Sequence, residues 1–227
     1  MIGSHDSFTF LKSTNWFYNR LTRVWKTQDI DIFTQYALGV RMFDIRVRRD
    51  NGCWRVCHGI CDLKMTFPNL EAICTYMQEY CPEAIYRIVL EKGSDRVFKI
   101  EACSCKMPNP KSVCNVGLVA DINNYITCNL TQKYPKLWRV DIKATGCWTG
   151  TVCNNNQDLY DEGYKFALSN TWEEPAYELH GIVTSKNFYK INLKKEADKI
   201  NKDLKDKYSY HDLYESKDKL FLIDYVF

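Results

Sequence analysis

The chain has 227 residues, 45% of them hydrophobic, enough for one large domain with a full core. Its 31 basic and 28 acidic residues leave a net charge of +3, which excludes the basic footprint of a nucleic-acid binder but suits weak attraction to an anionic surface. No apolar run reaches the ~18 residues that span a bilayer, and no charged segment followed by an apolar stretch marks a leader, so a cytoplasmic or membrane-peripheral location is expected, with secretion left open.

In chain order, a short first strand leads into Gly3-Ser-His-Asp-Ser7. Phe17, Leu21, Val24 and Trp25 then fit a helix packed on a core. Trp16 is left facing outward, as an aromatic suited to a bilayer boundary. Ile32, Phe33, Tyr36, Ala37 and Val40 predict one apolar helical side, with Gly39 near its end. Residues 40–48 predict a strand in which Phe43, Ile45 and Val47 alternate with Asp44, Arg46 and Arg48. Asn51-Gly52 is a hairpin turn signal, and residues 53–58 form the next strand, ending at His58-Gly59. Leu70, Ile73, Cys74, Met77 and Cys81 share a helical face over 69–81, closed by Pro82. Residues 84–91 return to strand.

The middle of the chain is less regular. Residues 103–116 show no period and read as loop, whereas 137–143 and 164–169 read as strands. Leu193, Ala197, Ile200, Leu204 and Tyr208 stripe a lysine-rich helix whose charged face is solvated. The last strand, 220–226, is apolar except for Asp224, which needs a buried partner. Alternating strands and helices predict an α/β fold with parallel strands. Polar residues at strand C-termini predict a barrel with its site at that end.

Eleven cysteines are scattered with no Cys-x-x-Cys pair. Cys57, His58 and Cys61 come closest to a zinc set, but Cys57 and His58 point to opposite faces of a strand. Buried free thiols are expected, with disulfides left open for a secreted form. Asn129-Leu-Thr131 matches a glycosylation sequon of little weight without a leader.

The chemistry concentrates on two of only four histidines. His5 and His58 each close a strand-like run, with Arg46 between them in sequence. A base, an acid and a fixed cation suffice for phosphoryl transfer without a metal. His180 and His211 have no motif around them and read as surface residues.

Gly3-Ser-His-Asp-Ser7, then Gly39-Val-Arg-Met-Phe-Asp-Ile-Arg46, then His58-Gly59 and Leu90-Glu91-Lys92, resemble the X domain of phosphatidylinositol-specific phospholipase C in its bacterial form. Leu222-Ile223-Asp224-Tyr225 resembles that family's last barrel strand. The match is firm over 1–92 and in outline over 93–227, within one domain of 1–227. The resemblance implies a distorted TIM-like (β/α) barrel that cleaves an inositol phospholipid. The inositol 2-hydroxyl attacks phosphorus, giving cyclic inositol phosphate and diacylglycerol. It implies that His5 is the general base, His58 the general acid and Arg46 the phosphate ligand. Asp224 would orient His5, Asp6 would assist His58, and Lys92 would contact substrate.

For inositol recognition, Gln157-Asp158-Leu159-Tyr160 resembles the expected Asp-x-Tyr element, with Asp141 as the rival. Calcium-dependent relatives place ligands where Asp6, Asp44 and Glu91 stand. Arg46 occupies the remaining ligand place, and a guanidinium there repels a calcium ion, which takes ~6–8 oxygens. Metal-independent catalysis is therefore expected, with calcium near Asp6, Asp44 and Glu91 as the alternative. The expected partners are a phospholipid surface and an inositol phospholipid, with no nucleic acid. A glycerophosphodiester phosphodiesterase and a non-catalytic headgroup-binding module are the rival functions.

Overall fold

The computed structural model describes residues 1–91, 129–142, 164–166, 176–181, 192–216 and 219–227. Nine strands form one mixed sheet: β1 Ile2–Ser4, β2 Val40–Asp50, β3 Cys53–His58, β4 Cys61–Phe67, β5 Ile85–Leu90, β6 Leu137–Ile142, β7 Tyr164–Phe166, β8 Ala176–Gly181 and β9 Lys219–Ile223. Four α-helices accompany them among the described residues: α1 Trp16–Arg20, α2 Ile32–Ala37, α3 Leu70–Tyr80 and α4 Leu193–Lys207.

Six strands run parallel in the order β6-β5-β2-β1-β9-β8, with β7 antiparallel on β8. The 11-residue β2 outgrows its parallel neighbours, and its far end, Val47–Asp50, pairs antiparallel with β3, which pairs with β4. Asn51 and Gly52 join β2 to β3 with φ of 49° and 82°, the left-handed pair that a tight hairpin requires. Among the described residues the sheet stays open, a run of parallel strands with antiparallel additions, so the α/β character is seen and the closure that the expected barrel requires is not.

Period-two alternation decides what each face of the sheet carries. Phe43, Ile45 and Val47 of β2, Tyr86, Ile88 and Leu90 of β5, and Phe221 and Ile223 of β9 join the main core with Ile73, Met77, Ile200 and Leu204 of the helices. The alternate residues face the other way. There Met42, Ile85, Trp138, Leu220 and Leu222 make a second apolar cluster. Continuing each strand toward its C-terminus on that same parity gives Asp44 and Arg46, then Arg87, then Asp224. The inner face thus passes from an apolar layer to a charged one. Gly3 belongs to the apolar layer: a Cβ there would lie 2.9 Å from Leu220 Cδ1 and 3.3 Å from Met42 Sδ. A larger residue would have to displace the ends of the Leu220, Leu222 and Met42 side chains in that layer.

The helices are capped by side chains that satisfy otherwise orphaned N–H groups. Asn15 accepts from Phe17 N, Asp31 from Thr34 N, Asn69 from Ala72 N and Asn192 from Lys195 N. Helix α3 follows the predicted face, and α4 buries Leu193, Ala197, Ile200 and Leu204 as the stripe predicts.

Two predicted faces differ. Ile32 is buried as expected, but Phe33 is exposed and α2 turns Gln35 inward in its place. This helix has only six residues, so Val40 belongs to the strand and cannot extend a helical face. Gln35 Nε2 earns its burial by donating to the carbonyls of Ser7 and Ile30 at 2.9 and 2.7 Å. Phe17 is likewise exposed, at 52%, because α1 ends at Arg20 and the helical period that would align it with Trp25 is broken. Trp25 is buried, and Trp16 projects outward at 66% exposure.

Strands β4 and β8 have no counterpart in the sequence reading. The predicted loop at 103–116 lies outside the described residues. The five described cysteines are free: Cys53 is exposed, while Cys57, Cys61, Cys74 and Cys81 are buried. Burial pushes the Cys74 and Cys81 thiols up to about 12.

Candidate active site

The charged layer at the C-terminal ends of the parallel strands gathers His5 and Asp6 from the exit of β1, Asp44 and Arg46 from β2, Arg87 and Glu91 from β5 and its end, and Asp224 from the exit of β9. His58 enters from the end of β3, on the antiparallel extension. Apart from His58, all of these side chains are buried. The five residues expected to do chemistry, His5, Asp6, Arg46, His58 and Asp224, therefore meet in one place. Lys92 and residues 157–160 lie outside the described residues. Asp141 is on β6, in register with Val89 of β5. His211 is exposed and pairs with Glu215.

His5 is held at both ring nitrogens. Nδ1 lies 2.7 Å from Asp224 Oδ1, and Nε2 lies 2.7 Å from Arg46 Nη2. A carboxylate only accepts and a guanidinium only donates, so Nδ1 carries the proton and Nε2 offers a lone pair. Burial, reinforced by the Arg46 charge, holds the imidazole well below its ordinary range and therefore neutral. The Asp44 charge opposes this without reversing it.

His58 is fixed by a different device. Its Nδ1 donates to the carbonyl of Trp25 at 2.5 Å, leaving Nε2 3.2 Å from Asp6 Oδ2. The side chain is 23% exposed against 3% for His5, so His58 is the ring at the water-facing edge. The two ring centroids stand 6.5 Å apart at 79°.

Between the rings lies a network of opposite charges. Arg46 Nε is 2.5 Å from Asp6 Oδ1, Nη2 is 3.3 Å from Asp44 Oδ2, and Nη1 is 3.3 Å from Glu91 Oε1. Arg87 Nε donates to Asp44 Oδ1 at 2.9 Å. Burial alone would raise Asp44, but Arg87 and Arg46 outweigh it and hold this carboxyl well below the usual range. Three carboxylates raise Arg46 despite its burial, so its charge is permanent. For Asp6 burial prevails over Arg46 and His58, and its carboxyl is raised. Asp6 also has a φ of 45°, a strained conformation outside glycine that turns its carboxylate back between the two histidines.

Arg87 is a site residue that the motifs do not reveal; it supports Asp44 and so the lower edge of the Arg46 network. Its signal is present: in Ile85–Leu90 it is the one charge in an apolar strand, on the parity of Glu91. Asp44 and Glu91, the alternative metal ligands of the sequence, both hold Arg46 in the structure, and for Asp44 this is the partnership that its two-residue spacing from Arg46 allows.

His5, Asp6 and Asp44 offer donor atoms that lie within 4.8 Å of one another. Arg46 stands among these same donors, contacting each of the three residues. A calcium ion placed there would face a fixed positive charge at contact distance and an imidazole in place of an oxygen. The residues present therefore do not fit calcium in this arrangement.

No family model and no curated protein matches the chain. Solved structures of bacterial phosphatidylinositol-specific phospholipase C do match in fold. One from Staphylococcus aureus gives a TM-score of 0.53 at 17% identity, over 100% of this chain and 85% of that one. Another from Listeria monocytogenes gives 0.56 at 13% identity, over 99% of this chain and 87% of that one. At these identities the shared property is the fold.

Proposed function

We propose that this chain is a metal-independent phosphodiesterase of the phosphatidylinositol-specific phospholipase C type, built on a distorted barrel. The observation that carries the reading is the pair of histidines flanking one buried guanidinium, His5 in direct contact with Arg46 and His58 linked to it through Asp6, each ring fixed from behind. Asp224 sets His5 with its Nε2 lone pair inward, and the Trp25 carbonyl sets His58 with Nε2 inward. A phosphodiester between them meets a base on one side, an acid on the other and Arg46 at its oxygens.

In this mechanism the inositol 2-hydroxyl replaces Arg46 as the partner of His5 Nε2. The freed guanidinium nitrogen turns to a non-bridging phosphate oxygen, a geometry that arginine matches well. His5 takes the hydroxyl proton as the oxygen bonds to phosphorus. The bond from phosphorus to the glycerol oxygen breaks, and protonated His58 gives its Nε2 proton to that oxygen. Diacylglycerol leaves, and the cyclic phosphodiester keeps its single negative charge. The nucleophile belongs to the substrate, so proximity supplies much of the rate, and each acid–base group adds ~10²–10⁴-fold. Asp224 stabilises the imidazolium that forms on His5.

The substrate reaches this site at a membrane surface. Trp16 and Phe17 on α1, and Ile60 in the turn just after His58, are exposed apolar side chains. Aromatic rings of this kind favour the bilayer boundary.

Product analysis with phosphatidylinositol vesicles tests the reading, run with excess EGTA and again with added calcium. Cyclic inositol phosphate at equal rates in both is the expected result. Glycerol phosphate as the product, binding without turnover, or turnover that requires calcium would each overturn it.

A further inference from the structure

Residues 25–28 cross the exits of β1 and β9 as an irregular strap between the short helical turn Thr22–Val24 and α2. No side chain in it takes part in the acid–base scheme. Yet it touches both histidines and the segment that carries Asp224. Trp25 supplies the carbonyl that accepts from His58 Nδ1. Thr27 Oγ1 donates to the carbonyl of His5 at 3.2 Å, and Thr27 O accepts from Tyr225 N at 2.5 Å. The Thr27 hydroxyl is itself anchored by Thr9 Oγ1 at 2.7 Å.

Gln28 does the most. Its side chain is fully buried, and Nε2 donates both to the carbonyl of His5 at 3.0 Å and to the carbonyl of Ile223 at 3.1 Å. Its Oε1 accepts from Val226 N at 3.0 Å. One amide thus bridges the backbone just where His5 leaves β1 and Asp224 leaves β9. Both exits are strained: Asp6, after His5, has φ 45°, and Tyr225, after Asp224, has φ 51°. Such conformations persist only where their surroundings over-determine them. Asn201 of α4 secures the outer side, donating to the carbonyls of Asp224 and Tyr225 at 3.0 and 2.7 Å.

We infer that the Trp25–Gln28 strap is the positioning element of the acid–base pair, and that Gln28 sets the His5–Asp224 contact. A methylene-length change in the separation of the two exits moves Nδ1 out of hydrogen-bond reach of Asp224, and the tautomer of His5 is then no longer imposed. The inference rests on His5 and His58 acting as base and acid, but its first readout needs no turnover.

The experiment uses the full chain with 15N-labelled histidine. Gln28→Met keeps the side-chain length and removes the amide. The expected result is an upfield shift and faster exchange of the His5 Nδ1 proton, with His211 unmoved. On phosphatidylinositol vesicles, kcat should fall about 10²-fold with KM nearly constant, as for a misplaced catalytic group. A folded Gln28→Met protein with the wild-type His5 signal overturns the inference, whatever its activity. A shifted signal in a protein whose wild type lacks phosphodiesterase turnover upholds the positioning role and removes the functional reading. Should Gln28→Met fail to fold, Thr27→Val is read the same way. This near-isosteric change deletes the donor to His5 O, and an unmoved His5 signal there again overturns the inference.

Discussion

Asp224→Asn is the most discriminating substitution. Asp224 is buried and its Oδ1 lies 2.7 Å from His5 Nδ1. The change alters neither volume nor shape, so the fold should persist. Two effects follow. The carboxylate no longer stabilises the imidazolium that forms as His5 takes the substrate proton. For unit charges ~4 Å apart at an effective dielectric of ~20, that attraction is about 4 kcal/mol, or about three decades in rate. The amide can also donate to Nδ1, which moves the imidazole proton to Nε2 and removes the base. A lost tautomer of this kind costs up to ~10⁴-fold in related triads. The expected result is a kcat lowered ~10³-fold on phosphatidylinositol, measured as cyclic inositol phosphate released, with KM nearly unchanged. Thermal unfolding measured alongside separates chemistry from folding. A folded Asp224→Asn protein that retains kcat within threefold of wild type would refute the role of Asp224 and the tautomer argument together.

Three further predictions follow from the same geometry. His58→Gln should lower turnover of the lipid by ~10²–10⁴-fold but spare a substrate with an aryl leaving group, which departs without a proton; equal loss on both would remove His58 as the acid. His5 is lowered in the fold relative to the unfolded chain, so the unfolded state binds more protons below about pH 6.5, and the stability tied to neutral His5 is present above that pH and is lost on acidification. Urea unfolding of wild type and of His5→Gln between pH 7.5 and 5.5 should therefore show a slope that is steeper in wild type, by at most about 1.4 kcal/mol per pH unit; parallel slopes would contradict a buried neutral His5. Trp16→Ala should weaken binding to phospholipid vesicles in a sedimentation assay while leaving turnover of a soluble substrate unchanged, and equal loss on both would assign Trp16 to folding.

Much of the layer that holds the site was legible because strands have a short, strict period. The alternation over 40–48 puts Asp44 and Arg46 on one face, and that face is where the structure has them. Asp224 stood out for a different reason: one carboxylate in an apolar strand demands a partner, and His5 is that partner. Phe17 and Phe33 were misjudged because a helical period extrapolated over eight or nine residues assumes a helix of that length, and α1 and α2 stop after five and six. The roles of Thr27 and Gln28 were invisible for another reason. Apart from the Thr9 hydroxyl, their partners are main-chain carbonyls and amides, as far as 198 residues away, and no side-chain pattern encodes them.

The pairing of β1 with β9 also shapes how the molecule assembles. His5 and Asp224 are separated by 219 residues, so their contact closes a loop that is nearly the whole chain. Contacts of such sequence separation form slowly, after the local hairpin β3–β4 and the β2–β5 unit have had time to organise. Until β9 docks, β1 is an unpaired edge with hydrogen-bonding groups open to other chains. A partly folded molecule in that state already carries His5, Arg46 and His58, but His5 has no carboxylate behind its Nδ1. Completion of the His5–Asp224 contact and protection of the open side of β1 are therefore a single event, the arrival of β9.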